Sequence, residues 1–352
     1  MLSLTAIAGR TWVFSHAIGR TTVEHNGNTG GYIFPCDFTL APNETLYVLS
    51  RGYDHETFPD TGVDLSRRVG KVGIDQFHYG DFGRNSFVWP SGIAYSKDDK
   101  VYVADEFLNK VLIFAPERFV PFPDYIPGGE HIGEWGIAGG APGELNAPVG
   151  INFDANNDLY VVDSRNHRVQ KFSSDGKYIR SFGSEGTGPG QLKKPWGLTI
   201  DRAGDVYVAD WGNNRVQKFT ADGKHIATFG STAEDGGDLN HPSDVAVDAD
   251  GDVYVTDWGN RRVQIYEKNG DIIGALYGDA STFSKAAEVI VYRDPETIKG
   301  YYRAGDLTPM ARFGRPLAVQ ADDKGRIIVS DQRNRLHVYT KHWNYTQPRI
   351  NL

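Results

Sequence analysis

Asp37, Glu106 and Asp244 are the residues of this 352-residue chain whose types and places point most directly to chemistry. Asp37 and Asp244 each stand two places after a proline, Pro35 and Pro242, where comparable stretches of the chain have Gly or Ala. Carboxylates converging from three such places would hold a hard divalent cation: calcium, magnesium or manganese. A cation held there would polarise a substrate oxygen or lower the pKa of a bound water. His55 and His241 are the candidate proton carriers. Arg51 and Arg333 are the candidate clamps for an anionic substrate group. Tyr53, Trp196, Trp211, Trp258, Arg165 and Gln332 complete the candidate lining. The carboxylates also have a plainer use, which is to cap exposed backbone amides at strand starts. Cys36 invites two readings, a nucleophile with His55 or His241 as its base or a small buried side chain. As the single cysteine it excludes an intramolecular disulfide and a cysteine zinc cluster.

These residues gain meaning from a repeat that runs through the whole chain. Pro148, Pro195 and Pro242 open three copies spaced 47 residues apart, exemplified by PWGLTIDRAGDVYVADWGNNRVQKFTADG from Pro195. Weaker copies begin at Pro35, Pro90 and Pro316, giving six units. Each unit parses into four short strands. A D-x-x-G-D turn joins the first two, a polar loop joins the second to the third, and an S-D-G or A-D-G turn leads to the fourth. Alternating apolar positions and Asp-Gly turns are what antiparallel hairpins require. The expected fold is therefore all-β: a six-bladed β-propeller of four-stranded antiparallel blades, formed by residues 1–352 as a single domain. The sixth unit runs out of chain near Trp343, and an orphan strand lies around Thr11–Ile18. That strand is expected to complete the last blade and close the ring, which removes two open sheet edges.

The motif VY-V-x-D-x-x-N-x-R-V occurs as Asp163/Asn166/Arg168, Asp210/Asn213/Arg215 and Asp257/Asn260/Arg262. In this it resembles NHL repeats. The resemblance covers nearly the whole chain and implies a propeller, while function stays open because NHL propellers include an amidating lyase, RNA-binding and protein-binding domains. The lyase, as its family is known, holds zinc with histidines that directly follow the repeat proline. The matching positions here are Cys36, Ser91, Val149, Trp196, Ser243 and Leu317, and none is histidine. The resemblance therefore implies the fold without that chemistry. The repeated Asp and Arg are expected to pair as scaffold, and the D-A-D-G-D run at Asp248–Asp252 reads as a hairpin turn more readily than as part of a calcium loop.

Three insertions interrupt the repeat, at residues 51–67, 115–133 and 279–314. In an up-and-down blade the first and third fall on one face and the second on the other. The first and third are thereby placed to form a lid over the channel mouth. That mouth is where the candidate residues gather, which suits a lyase or hydrolase acting on a small molecule. The alternative is a non-catalytic scaffold that binds a protein partner; a self-assembling structural subunit ranks last. Lys+Arg 37 against Asp+Glu 45 leaves a net charge of −8, which argues against general nucleic-acid binding. No apolar run approaches about 20 residues, and no signal peptide is seen, so neither a membrane span nor export is expected and the expected location is cytoplasmic.

Overall fold

In the computed structural model the described residues are 4–7, 10–19, 32–52, 67–116, 129–230, 238–280, 284 and 311–343. They form six antiparallel sheets, one for each repeat unit, in the strand order expected of propeller blades. Blade 4, for example, runs Leu198–Ile200, Val206–Asp210, Arg215–Phe219 and His225–Phe229. The ring closes as the sequence implies. Strand Arg10–Gly19 pairs antiparallel with Arg335–Trp343, Thr11 opposite His342 and Ile18 opposite Leu336. A fifth strand, Leu4–Ile7, continues that sheet outward, and the repeat pattern contains no hint of it.

The second strand of each blade departs from simple alternation. VYVAD at Val101–Asp105 and Val206–Asp210 is buried along its whole length. The reason is that blades stack face to face, so both faces of a strand meet a neighbour. Tyr47, Tyr102, Tyr160, Tyr207 and Tyr254 recur at one position and are buried between blades. Tyr102 meets Phe153 of the next blade edge-on at 4.9 Å. Aromatic pairs of this kind add about 0.5–1.5 kcal/mol each beyond their area.

A second tie links blade to blade by hydrogen bonds near the repeat proline. Asn109, His167, Asn214 and Asn334 accept from the backbone N–H of Ala147, Lys194, His241 and Phe34, each the residue before the next blade's proline. The last of these joins blade 6 to blade 1. At the residue after the proline, Ser91 donates to Ala104 O and to Pro148 O of the following blade. Ser243 makes the same bridge to Thr256 O and Pro316 O.

The scaffold role of the repeated Asp and Arg is confirmed. Asp210 is fully buried at the end of its strand. It accepts from Lys193 N at 2.7 Å, Asn213 Nδ2 at 2.9 Å, Arg215 Nε at 2.8 Å and Gln217 Nε2 at 3.2 Å. Asp163 and Asp257 hold the corresponding Asn and Arg of their own blades. The Asp248–Asp252 run is a turn whose acids hold an ammonium: Lys341 Nζ pairs with Asp248 and lies 3.2 Å from Asp250 and 2.8 Å from Asp252. Burial works against that ammonium, but Asp248 and Asp252 outweigh it and raise its pKa. In blades 3 and 4 the matching acids take Lys171 and Lys218 from their own third strand. Blade 5 has Ile265 there, and the closing blade supplies the lysine instead.

Asp210→Ala leaves the part-buried Arg215 and three further donors without this acceptor. The expected loss is about 3–5 kcal/mol of stability, read as a fall in urea midpoint with an unchanged slope.

Candidate functional site

The first strands of the six blades surround a central channel that encloses a cavity of 530 Å³. Cys36, Asp37, Ser91, Trp196, Ser243 and Asp244 line its end near the repeat prolines, and the Asp-Gly turns, such as Asp201–Ala203, line the other end. Blades approach each other most closely along this wall. A Cβ on Gly197 would lie 2.3 Å from Asp244 Oδ1 and 2.6 Å from Ser243 O. The Gly at this repeat position is thus a packing requirement, and the two aspartates that replace it need a compensating contact. Each has one. Asp37 Oδ2 accepts from Ile93 N of blade 2, and Asp244 Oδ2 accepts from Val319 N of blade 6, both at 2.9 Å. Asp37 Oδ1 also accepts from Phe38 N at 2.8 Å.

The two carboxyls sense each other. Burial pushes Asp37 up to about 7, against the pull of its amide donors and Arg51. Asp244 is raised by burial and then by the charge on Asp37. Near neutral pH the pair therefore favours one proton over two full charges. Glu106 does not join them. It lies by Arg51, with Nη1 to Oε1 at 3.9 Å, and burial raises it against Arg51 and Arg165. Among the described residues no three of His, Cys, Asp and Glu come together as a metal ion would require. The oxygens of Asp37 already accept backbone bonds, which leaves little for a hard cation.

Cys36 has the role of Ser91 and Ser243. Its thiol faces Leu49 O at 3.5 Å and Pro90 O at 3.6 Å, the same bridge to the next blade. Burial pushes that thiol up to about 12, which removes the thiolate a nucleophile needs.

Arg51 is the central finding of the mouth. The other blades end their second strand in a buried Asp; blade 1 has Ser50, and Arg51 follows. Its Nε donates to Pro90 O at 2.9 Å. Its guanidinium lies 5.2 Å from the centre of Trp89 and 5.7 Å from that of Trp196, which belongs to the opposite blade. Arg51 thus reaches over the channel. It is only 8% exposed, and among the described residues its Nη2 has no hydrogen-bond partner. An unpaired donor on a buried cation costs about 1–3 kcal/mol or more.

From Trp196 the aromatic contacts continue. Trp211 is 5.5 Å away, Trp258 a further 5.2 Å, and His241 packs edge-on to Trp211 at 4.9 Å. Arg315 ends the run 3.9 Å from the centre of Trp258. Of the predicted lining, the structure brings together Arg51, Glu106 and Arg165 on one side and Trp196, Trp211, Trp258 and His241 on the other. His241 Nδ1 lies 2.6 Å from Asn240 Oδ1, on the rim and away from the cavity wall. Gln332 donates its amide to Arg315 O, while exposed Arg333 turns to Arg312 O. Tyr53 and His55 lie outside the described residues, as do most of the three insertions and hence the lid. Sequence reasoning missed Trp89 and Arg315. Both precede a repeat proline, and their carbonyls accept from Glu106 and Gln332, the residues after the second strand. The repeat register contained that signal.

A family model described as the NHL repeat matches residues 145–172, 192–219 and 239–266, which lie in blades 3, 4 and 5. The chain carries NHL repeats in these three blades of a six-bladed β-propeller. No curated protein sequence matches it. Among solved structures it is similar to virginiamycin B lyase from Staphylococcus aureus, in a catalytically inactive form with quinupristin, at 12% identity and TM-score 0.52, covering 91% of this chain and 97% of that one. A putative gluconolactonase is similar at 14% identity and TM-score 0.57, covering 96% and 94%. The WD40 propeller domain of Doa1 is similar at 11% identity and TM-score 0.51, covering 96% and 98%. At these identities the likeness is one of fold.

Because the folded pKa of Asp37 lies above its unfolded value, the native state binds the extra proton. That contribution to stability is present below about pH 4 and is lost as pH rises through about 7. Asp37→Asn removes this titration. The stability of the natural chain relative to Asp37→Asn should therefore fall between pH 4 and pH 8, by at most about 4 kcal/mol and by less with water in the channel. Paired urea titrations check this, and a flat difference would show that the carboxyl does not titrate in that window.

Proposed function

We propose that this NHL propeller is an enzyme that processes a small anionic molecule at the channel mouth, by lyase or hydrolase chemistry. The observation that carries the reading is Nη2 of the buried cation Arg51, which has no hydrogen-bond partner among the described residues and lies by Trp196 of the cavity wall. A carboxylate or phosphate of the ligand would complete its hydrogen bonding. The indoles of Trp89 and Trp196 hold the guanidinium plane, and Glu106 limits its swing. Below, the Asp37–Asp244 pair supplies one protonated and one ionised carboxyl, an acid and a base on the wall of one cavity. The ionised member takes a proton from the substrate, and the protonated member delivers one to the leaving group. This reading asks nothing of a metal ion and assigns the proton work to the carboxyl pair in place of the histidines.

The test is calorimetric titration with benzoate, citrate and inorganic phosphate. The natural chain should bind at least one of these, and Arg51→Gln should weaken that binding about 10- to 100-fold while the variant still unfolds in one cooperative transition. Equal affinity in both proteins would sink the reading.

One observation favours the second reading, a protein-binding scaffold. Phe107 and Ile137 are 69% and 70% exposed on loops of the same face. Both loops rest on residues 105–110: Phe107 N donates to Asp105, and the loop after Trp135 closes over Asn109. Under that reading Phe107→Glu abolishes partner binding while Arg51→Gln leaves it intact.

A further inference from the structure

Arg51 accounts for one charge at the mouth and leaves the rest of the rim without a use. Four of the chain's seven tryptophans, Trp89, Trp196, Trp211 and Trp258, are here. All four are half-buried, so each keeps part of its indole accessible. Trp196, Trp211 and Trp258 form an unbroken run with ring spacings of 5.5 and 5.2 Å, crossing from blade 4 to blade 5. Trp12, inside the core, is by contrast 1% exposed. A guanidinium stands at each end of the run, Arg51 beside Trp196 and Arg315 over Trp258.

Building on the anion site at Arg51, we infer that the ligand is an acidic oligosaccharide, a short chain of uronic acid units laid along the Trp196–Trp211–Trp258 run. The C–H faces of sugar rings pack on the indoles. Carboxylates meet Arg51 and Arg315 at the two ends of the run. Glu106, Gln332 and His241 stand on the same rim as partners for hydroxyl groups. A single-stranded nucleic acid also uses stacking and cations. Its phosphodiesters are therefore the competing anion, which oligouridylate of matched length separates in the test below.

The experiment is calorimetry with galacturonate oligomers of one to four units, alongside neutral glucan oligomers and oligouridylate of matched length. Affinity for the uronates should rise about five- to tenfold per added unit until the run is filled. Neutral oligomers should bind about tenfold more weakly. Trp258→Ala should flatten the dependence on length, and Trp258→Phe, which keeps an aromatic face, should restore most of it. Arg51→Gln should lower affinity at every length alike. Affinity independent of length would overturn the oligosaccharide inference and leave the Arg51 anion site standing. Equal binding of neutral oligomers, or tighter binding of oligouridylate, would overturn it as well. Length-dependent binding untouched by Arg51→Gln would overturn the anion site and the carboxylate half of the inference together.

Discussion

The buried carboxylate at the end of the second strand is the interaction on which the rest of the structure depends. Asp105, Asp163, Asp210, Asp257 and Asp331 are all fully buried there. Each accepts backbone N–H bonds from the crossover that enters its own blade: Asp105 from Val88 and Trp89, Asp163 from Asn146, and Asp331 from Gly314 and Arg315. One carboxylate thereby fixes the crossover, the loop after the strand and, in blades 3 to 5, the Arg of the third strand. Desolvating a charge is costly, and only several donors at once offset it. The repeat supplies those donors from fixed offsets, so the motif Asp-x-x-Asn-x-Arg is a device for holding a rim rigid. A rigid rim is what allows side chains on it to be placed for binding.

Blade 1 is where the device is missing, and the candidate site lies there. Ser50 replaces the Asp, and among the described residues its hydroxyl has no hydrogen-bond partner. Its register partner Arg68, the counterpart of Arg168 and Arg215, lies 3.7 Å from Asp81 on the outer strand. Released from that arrangement, the next residue, Arg51, carries its charge over the channel to the opposite blade. Asp37, in the same blade, makes up part of the loss by tying blade 1 to blade 2 through Ile93 N. Structural cost and functional opportunity thus fall on one blade.

The ring, its six units and its closure were legible in the sequence because each rests on local chemistry: Asp-Gly turns, alternating strands, and a proline that opens every unit. Cys36 was harder. In isolation it resembles a nucleophile, and only its equivalence to Ser91 and Ser243, visible once the carbonyls of Pro90, Pro148 and Pro316 are placed, reveals a hydrogen-bond bridge between blades. Glu106 was grouped with the two aspartates because the repeat places all three near one face. The repeat cannot say how far a side chain reaches, and Glu106 turns to Arg51 on the rim instead. The contact of Arg51 with Trp196 joins blades 1 and 4, and the sequence offers no local mark for a meeting across the channel. Strand Leu4–Ile7 escaped notice because it lies outside any repeat unit.

The Asp37–Asp244 pair shows why a strap and a reactive group can be the same residue. A strap needs an acceptor for the amide of the next blade, whereas between blades 3 and 4 the hydrogen bond runs the other way, from Gly150 N to Trp196 O. A carboxylate is an expensive choice for the task, since burial raises both members and each charge opposes the other. Asn would accept the same bond without the charge. The extra cost is explained if the proton is useful, because a carboxyl held near neutral pH by its surroundings is ready both to give and to take one. The two acids lie on blades 1 and 5, with only blade 6 between them, and the unpaired cation of Arg51 enters from blade 1. An anion seated on Arg51 would bring the atoms next to its charged group towards these carboxyls. Under the proposed function, strap, proton pair and anion site would then serve one reaction centre.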